Sequence, residues 1–268
     1  MTQAATAAQP TEPALLREDA HGVATLTLNR PRASNSLNHD LLRLLESEFQ
    51  SISGDPSVRV VVIEAAGQVF CAGHDLKELR TDPTRQNYQE TFGQSSRVMK
   101  AIVALPQPIV AKVQGTATAA GCQLVATCDL AIAADTASFA TPGVNIGLFC
   151  STPMVALSRN VSRKHAMEML LTGEPIDAAT AARIGLINHA VPASDLNTAT
   201  SALADRVAGK PPAIVKIGKE GFYKQAEMGL AEAYEYASEV MTLNMLDDDA
   251  EEGITAFLEK RPAKWRNT

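Results

Sequence analysis

The sequence predicts an α/β protein, and three observations carry that prediction. Largely apolar runs at residues 58–65, 109–113 and 130–134 read as strands buried on both faces, the mark of a parallel sheet. Segments of helical periodicity stand between these runs, with no long hydrophilic linker. From Val161 onward the pattern turns predominantly helical.

Taken in order, residues 23–28 alternate apolar side chains with Thr, as a half-buried strand does, and Asn29-Arg30-Pro31 stops them. Asn38 or Asp40 can cap the next helix, which puts Leu41, Leu44, Leu45, Phe49 and Ile52 on one face. The buried strand 58–65 follows, with Gly67 behind it. Phe70-Cys71-Ala72-Gly73-His74-Asp75-Leu76-Lys77 then reads as a strand end bending through Ala-Gly into a short helix begun by Asp75. Residues 81–85 carry charge, Thr and Pro and read as a mobile surface loop before a helix from Tyr88 to Ala104, which Pro106 and Pro108 end.

The strand 109–113 feeds the small-residue stretch from Gly115 to Asp129, which opens into an apolar helix. The first N–H groups of such a helix have no partner within it and can hold an anionic oxygen. The same small residues equally suit a helix packed close on its neighbours. After the strand 130–134, residues 138–142 begin another connection across the same surface. Helices are predicted over 164–171, 178–184, 195–208, 212–229, 230–246 and 249–260, with one short strand at 187–191.

Composition narrows the function. The formal net charge of -6 and pI near 5.4 disfavour nucleic acid or an anionic membrane as the main partner, since both call for a basic face. No apolar stretch is long enough to cross a bilayer. Residues 1–13 read as a disordered tail and not as a signal or transit peptide. Cys71, Cys122, Cys128 and Cys150 show no CxxC and no His at metal spacing, so free thiols, no metal site and a cytoplasmic location are expected.

Two bends of one kind, at Gly73-His74 and Ala120-Gly121, offer backbone N–H donors, the requirement for stabilising charge on a thioester oxygen. At this point the chain, from about residue 15 to 266, resembles the crotonase, or enoyl-CoA hydratase/isomerase, superfamily. The resemblance rests on Leu28-Asn29-Arg30-Pro31, the 70–77 segment, Gly121-Cys122-Gln123-Leu124 with Cys128-Asp129, Asn145-Ile146-Gly147, the 167–174 and 182–187 segments, and 252–261. It implies a spiral of ββα units over residues 14–205. A helical region over 206–268 would build a homotrimer or a dimer of trimers. It also implies an oxyanion hole made by the N–H groups of His74 and Ala120. Ala72, Asp75, Leu76 and Lys77 would lie beside coenzyme A, and Phe257 and Lys260 would reach a neighbouring subunit's coenzyme A. Coenzyme A enters as part of the substrate, and no separate cofactor is implied.

The sequence departs from that family where hydratases carry two glutamates, with Gln123 in one place and Gly143 in the other. Gln cannot take up a proton and Gly has no side chain, so the two-glutamate activation of water is not expected. Gln123 could still orient a water or a carboxylate by hydrogen bonding. Cys150 and Ser151 stand before a helix whose N-terminus could lower the thiol pKa. Alternatively, Cys150 is a small buried hydrophobe and Ser151 or Thr152 caps that helix. His74 could act through its side chain as a base, or through its N–H alone; Asp75 reads as a helix cap.

Three functions follow as expectations. The first is an acyl-CoA enzyme that stabilises an enolate. The second is a CoA-thioester decarboxylase, since Ala72 to Asp75 and Thr141-Pro142 with Asn145-Ile146-Gly147 resemble the methylmalonyl-CoA decarboxylase branch. The third is a non-catalytic acyl-CoA-binding protein. The chain also resembles the enoyl-CoA hydratase domain-containing protein 3-like branch, which lacks both glutamates.

Overall fold

The structure, a computed structural model, describes residues 12–265. The 1–11 part of the expected tail lies outside the described residues. Strands β1 (Leu15–Ala20) and β2 (Val23–Leu28) form an antiparallel hairpin, turned by His21 and Gly22 with φ of 52° and 80°. A two-residue turn with both φ values positive matches the twist of the strands it joins. β1 has no sequence signature because only Leu15 of its six residues is buried.

From there the chain winds as a spiral between two sheets. Helix α1 (His39–Ser53) starts at Asn38, whose side chain accepts from the Leu41 N–H at 3.0 Å. It buries Leu41, Leu42, Leu45, Phe49 and Ile52, and the expected Leu44 packs half-buried against the same core. β3 (Val60–Ala65) joins the first sheet and β4 (Val69–Cys71) the second. Two helices follow, α2 (Leu76–Thr81) and α3 (Arg85–Ala104). Thr84 caps α3 a turn earlier than Tyr88, so the expected loop shrinks to residues 82–84.

β5 (Ile109–Val113) returns to the first sheet, β6 (Thr116–Thr118) to the second, and α4 (Ala120–Thr127) completes the turn. β7 (Leu130–Ala134) and β8 (Ser138–Ala140) repeat the step, so residues 138–140 are a strand and not a connection. Helices α5 (Pro153–Asn160), α6 (Arg163–Thr172) and α7 (Ala178–Ile184) follow, with β9 (Ile176–Asp177) before α7 and β10 (His189–Val191) after it. The first sheet has the order β1-β2-β3-β5-β7-β10 and the second β4-β6-β8-β9. Only β1–β2 and β8–β9 are antiparallel. This is the expected α/β spiral of ββα units.

The strand β3 explains its own sequence. Val61 and Ile63 face the main core with Phe49 and Phe70, while Val60 and Val62 pack with Ala204 and Ala208 of α8 (Leu196–Ala208). A strand covered on both sides has no polar face to alternate.

Three helices end the chain: α9 (Pro212–Gln225), α10 (Leu230–Met245) and α11 (Asp248–Leu258). α9 docks on the spiral through a buried cation. Lys219, 8% exposed, donates to Asp129 at 2.7 Å and to the carbonyls of Ile102 and Gln107 at 2.9 and 3.1 Å. Asp129 also accepts from Tyr223 at 2.9 Å and from the Ile109 N–H at 2.7 Å. Burial lowers the Lys219 pKa, against the opposing pull of Asp129. Removing one partner leaves the other charge buried and unpaired. Lys219→Ala is therefore expected to lose about 3 kcal/mol of stability in denaturant unfolding, and Tyr223→Phe only about 1 kcal/mol.

Candidate active site

The two bends singled out in the sequence meet in space. A Cβ placed on Gly73, whose φ is +94°, would stand 2.9 Å from the Ala119 Cβ and 3.2 Å from the Ala120 nitrogen. The first bend is held by its neighbours. Leu37 donates to the Gly73 carbonyl at 2.8 Å and accepts from the Asp75 N–H at 3.0 Å. The second is held by Ala119, whose N–H donates to the Ala140 carbonyl at 2.9 Å. Between these ties the N–H groups of His74 and Ala120 donate to no partner among the described residues. The packing reading of the small-residue stretch holds at two of its glycines. Cβ atoms on Gly115 and Gly121 would stand 1.9 Å from the Gln68 oxygen and 2.1 Å from the Cys71 oxygen, so these glycines serve packing.

The remaining sequence motifs brace the first bend. Arg30 pairs with Asp75 at 3.0 Å, and Ser36 donates to the same carboxylate oxygen at 3.2 Å. The other Asp75 oxygen caps α2, accepting from the N–H groups of Lys77 and Glu78. Burial pushes the Asp75 pKa up, but these hydrogen bonds, Arg30's first, hold it below the usual value. Buried Asn35 accepts from the Arg30 N–H at 2.8 Å and donates to the carbonyls of Ala66 and Val69.

Ala72, His74, Leu76, Ala119, Ala120, Cys150 and Ser151 line one cavity of about 440 Å³. Phe92, Ile146, Leu148 and Phe149, which the sequence did not single out as site residues, supply much of its apolar wall. Phe92 meets the His74 ring edge to face at 5.2 Å. Its position on α3 looks like any apolar helical position, so no local signal marked it. No Asp, Glu, Lys or Arg lines this cavity among the described residues.

Several expected site residues lie elsewhere. Gln123 does not line this cavity. Together with Asp129, Asn160 and Tyr223 it lines another, of about 590 Å³, and its Oε1 is buried without a partner among the described residues. It stands three residues on from Ala120, almost a full turn further along α4. Asp75 and Lys77 also lie outside the wall, Asp75 directed to Arg30 and Lys77 exposed. Phe257, 81% exposed, and Lys260 lie at and just beyond the end of α11, away from this chain's own cavity.

The titratable groups of the cavity are not poised as bases. Burial drops the His74 pKa to about 4, and its Nε2 is shut off without a partner. Burial raises the Cys150 thiol pKa against the pull of the nearby Gly143 N–H, so the expected lowering by the helix terminus does not occur. Nor does Ser151 or Thr152 cap α5. Thr152 occupies the cap position without a side-chain bond, and Ser151 donates weakly to the Phe149 carbonyl at 3.4 Å.

Two interleaved sheets wound as a ββα spiral, with strand-to-helix bends meeting over an apolar cavity, define the crotonase class of protein. The chain matches the model of the enoyl-CoA hydratase/isomerase family over residues 18–268. It belongs to that family. It is 48% identical to the mitochondrial enoyl-CoA hydratase domain-containing protein 3 of Rattus norvegicus, over 91% of this chain and 81% of the rat protein. The crystal structure of human enoyl-CoA hydratase domain-containing protein 3 superposes with a TM-score of 0.92 at 45% identity, covering 94% of this chain and all of that one. An enoyl-CoA hydratase structure from Mycobacterium smegmatis gives 0.93 at 51%, covering 95% and 99%. The chain thus falls in the protein 3-like branch.

These relatives correct one expectation. Those of the rat, Mus musculus and Homo sapiens are named as mitochondrial, which overturns the cytoplasmic assignment. The four described thiols are free, and a reducing environment is not peculiar to the cytoplasm.

Two outcomes follow from this geometry. A histidine held neutral by burial favours the folded state less as pH falls, because the unfolded chain takes up its proton first. Stability linked to His74 should therefore fall between pH 6.5 and about 4, by about 3 kcal/mol. His74→Gln should flatten that part of the melting profile. Ala119 sits at φ 50° and ψ -118°, a strained conformation for a residue with a Cβ. Ala119→Gly should raise stability by about 1 kcal/mol in denaturant unfolding, relief of strain outweighing the added freedom of the unfolded chain.

Proposed function

We propose that this chain binds an acyl-CoA in the 440 Å³ cavity with the thioester oxygen on the N–H groups of His74 and Ala120. There the two donors stabilise an enolate. The observation that supports this reading is the close approach of Gly73 to Ala119 and Ala120, which sets two unspent donors side by side over an apolar cavity. On this reading Ala72 and Leu76, which line the cavity, meet the coenzyme, and the exposed Lys77 next to Leu76 meets its nucleotide. Exposed apolar residues on the last helices, Leu230, Leu246, Phe257 and Leu258 among them, support a homotrimer or dimer of trimers. In such an assembly Phe257 and Lys260 of one copy reach the coenzyme of another.

The cavity favours a reaction that needs no protein base. Its wall carries no carboxylate, its histidine is neutral and weakly basic, and its thiol is protonated at neutral pH. Loss of carbon dioxide from a 2-carboxyacyl-CoA fits that environment. The bond between Cα and the carboxyl carbon breaks, its electron pair forms the enolate, and Cα later takes a proton from water. The donors act on the charge that develops, which is where such hydrogen bonds are worth most.

Purified protein incubated with malonyl-CoA and methylmalonyl-CoA is expected to release carbon dioxide and the shorter acyl-CoA, read by mass spectrometry, and to leave crotonyl-CoA unhydrated. Hydration of crotonyl-CoA at an enzymatic rate would overturn the base-free reading. Binding of all three without change would favour a non-catalytic acyl-CoA-binding protein.

A further inference from the structure

The segment from Gly143 to Cys150 closes on itself at the cavity wall. The Leu148 N–H donates to the Gly143 carbonyl at 2.9 Å, and Gly147 turns the chain with φ of +77°. Cys150 is thereby returned to the side of Gly143. A Cβ on Gly143 would stand 2.9 Å from the Cys150 sulfur, 2.9 Å from the Leu148 oxygen and 3.3 Å from the Cys150 nitrogen. The φ of Gly143 lies outside the left-handed region, so it is contact and not backbone conformation that bars a side chain.

The segment is also backed from behind. Gly173, the left-handed residue that ends α6, lies so close that its own Cβ would meet Asn145 Nδ2 at 2.9 Å and the Pro142 Cα at 3.1 Å. The residues on either side of Gly143 are thus held against the end of α6. Cys150 is 7% exposed, and both it and Gly143 line the cavity that holds His74 and Ala120.

We propose that Cys150 is the residue that sets the acyl specificity of this cavity. With Gly143 it forms a fixed wall of small groups against which the acyl carbons pack, and its sulfur fills the ground a side chain at 143 would need. The inference rests on the reading of the cavity as a CoA-thioester site. It goes beyond that reading by making the missing second carboxylate a property of a residue pair. Glycine at 143 is then required by Cys150 together with the Leu148 carbonyl, and a larger group at 150 shortens the space for the acyl chain.

Two measurements test this. Binding of free coenzyme A, acetyl-CoA and hexanoyl-CoA is compared by calorimetry for the wild type and Cys150→Leu. The substitution is expected to weaken hexanoyl-CoA at least about tenfold while free coenzyme A stays within about twofold, as the loss of a few buried methylene contacts requires. Equal weakening of both, or of neither, overturns the assignment. A wild type that binds none of the three instead removes the thioester reading, and the specificity role with it.

The wall itself is tested without any ligand, by melting Gly143→Ala, Cys150→Ala and the double variant. Overpacking at Gly143 is expected to lower the midpoint by about 3–8 °C. About half of that loss should be recovered in the Cys150→Ala background, with the Leu148 carbonyl accounting for the rest. The same loss in both backgrounds, or none in either, shows that no such wall exists.

Discussion

The constraint on which the site depends is the close approach of two backbone bends. Gly73 lies against Ala119 and Ala120, and Gly121 lies against the Cys71 carbonyl, at separations that leave no volume for another Cβ. Backbone donors can converge on one oxygen only if no side chain stands between the peptides that carry them. The spiral provides this because successive turns deliver equivalent elements to one place: β4 into α2, then β6 into α4, paired in parallel with Cys71 opposite Ala117. Arg30, Asn35 and Leu37, all from the stretch between β2 and α1, then fix the first bend. A donor pair held this way needs no reorganisation when charge develops.

Charge is used sparingly around this arrangement. Asp75 has its carboxylate committed to Arg30, Ser36 and the start of α2, so it braces the bend and takes no place in the cavity. Asp129 is likewise committed, to Lys219, Tyr223 and the Ile109 N–H on the far side of α4. What remains facing the cavity is backbone, apolar side chain, a neutral imidazole, a protonated thiol and the uncharged polar groups of Asn145, Ser151 and Thr152. In so apolar a place two N–H dipoles act with little screening, and an ionised substrate oxygen has few other partners.

Much of this was legible in the sequence, for reasons that can be traced to residues. The parallel strands announce themselves because both faces are buried, and the caps Asn38 and Asp75 were readable because an N-cap acts on a neighbour three residues away or fewer. Strands β1, β6 and β9 were not legible. They are short or edge segments with at most one buried residue each, and β6 and β9 are held by pairing partners far off in the chain. The bends were visible as small-residue turns, but their meeting was not, since it depends on the stacking of spiral turns. The side-chain roles were read less well. Cys150 looked activated by a helix terminus, and burial, which sequence position does not encode, wins instead.

Gln123 and Gly143, where the family resemblance leads one to expect glutamates, also differ in a way that residue identity alone conceals. Gln123 lies on α4 beyond Ala120, in a second cavity, with an unpartnered amide oxygen. A change of side chain there alters chemistry without demanding any change of backbone. Gly143 is enclosed by Cys150 and Leu148, so a side chain there requires both to move. The first position can change one residue at a time. The second is packed against Cys150, so on the proposed reading a carboxylate at 143 has no room beside the donor pair.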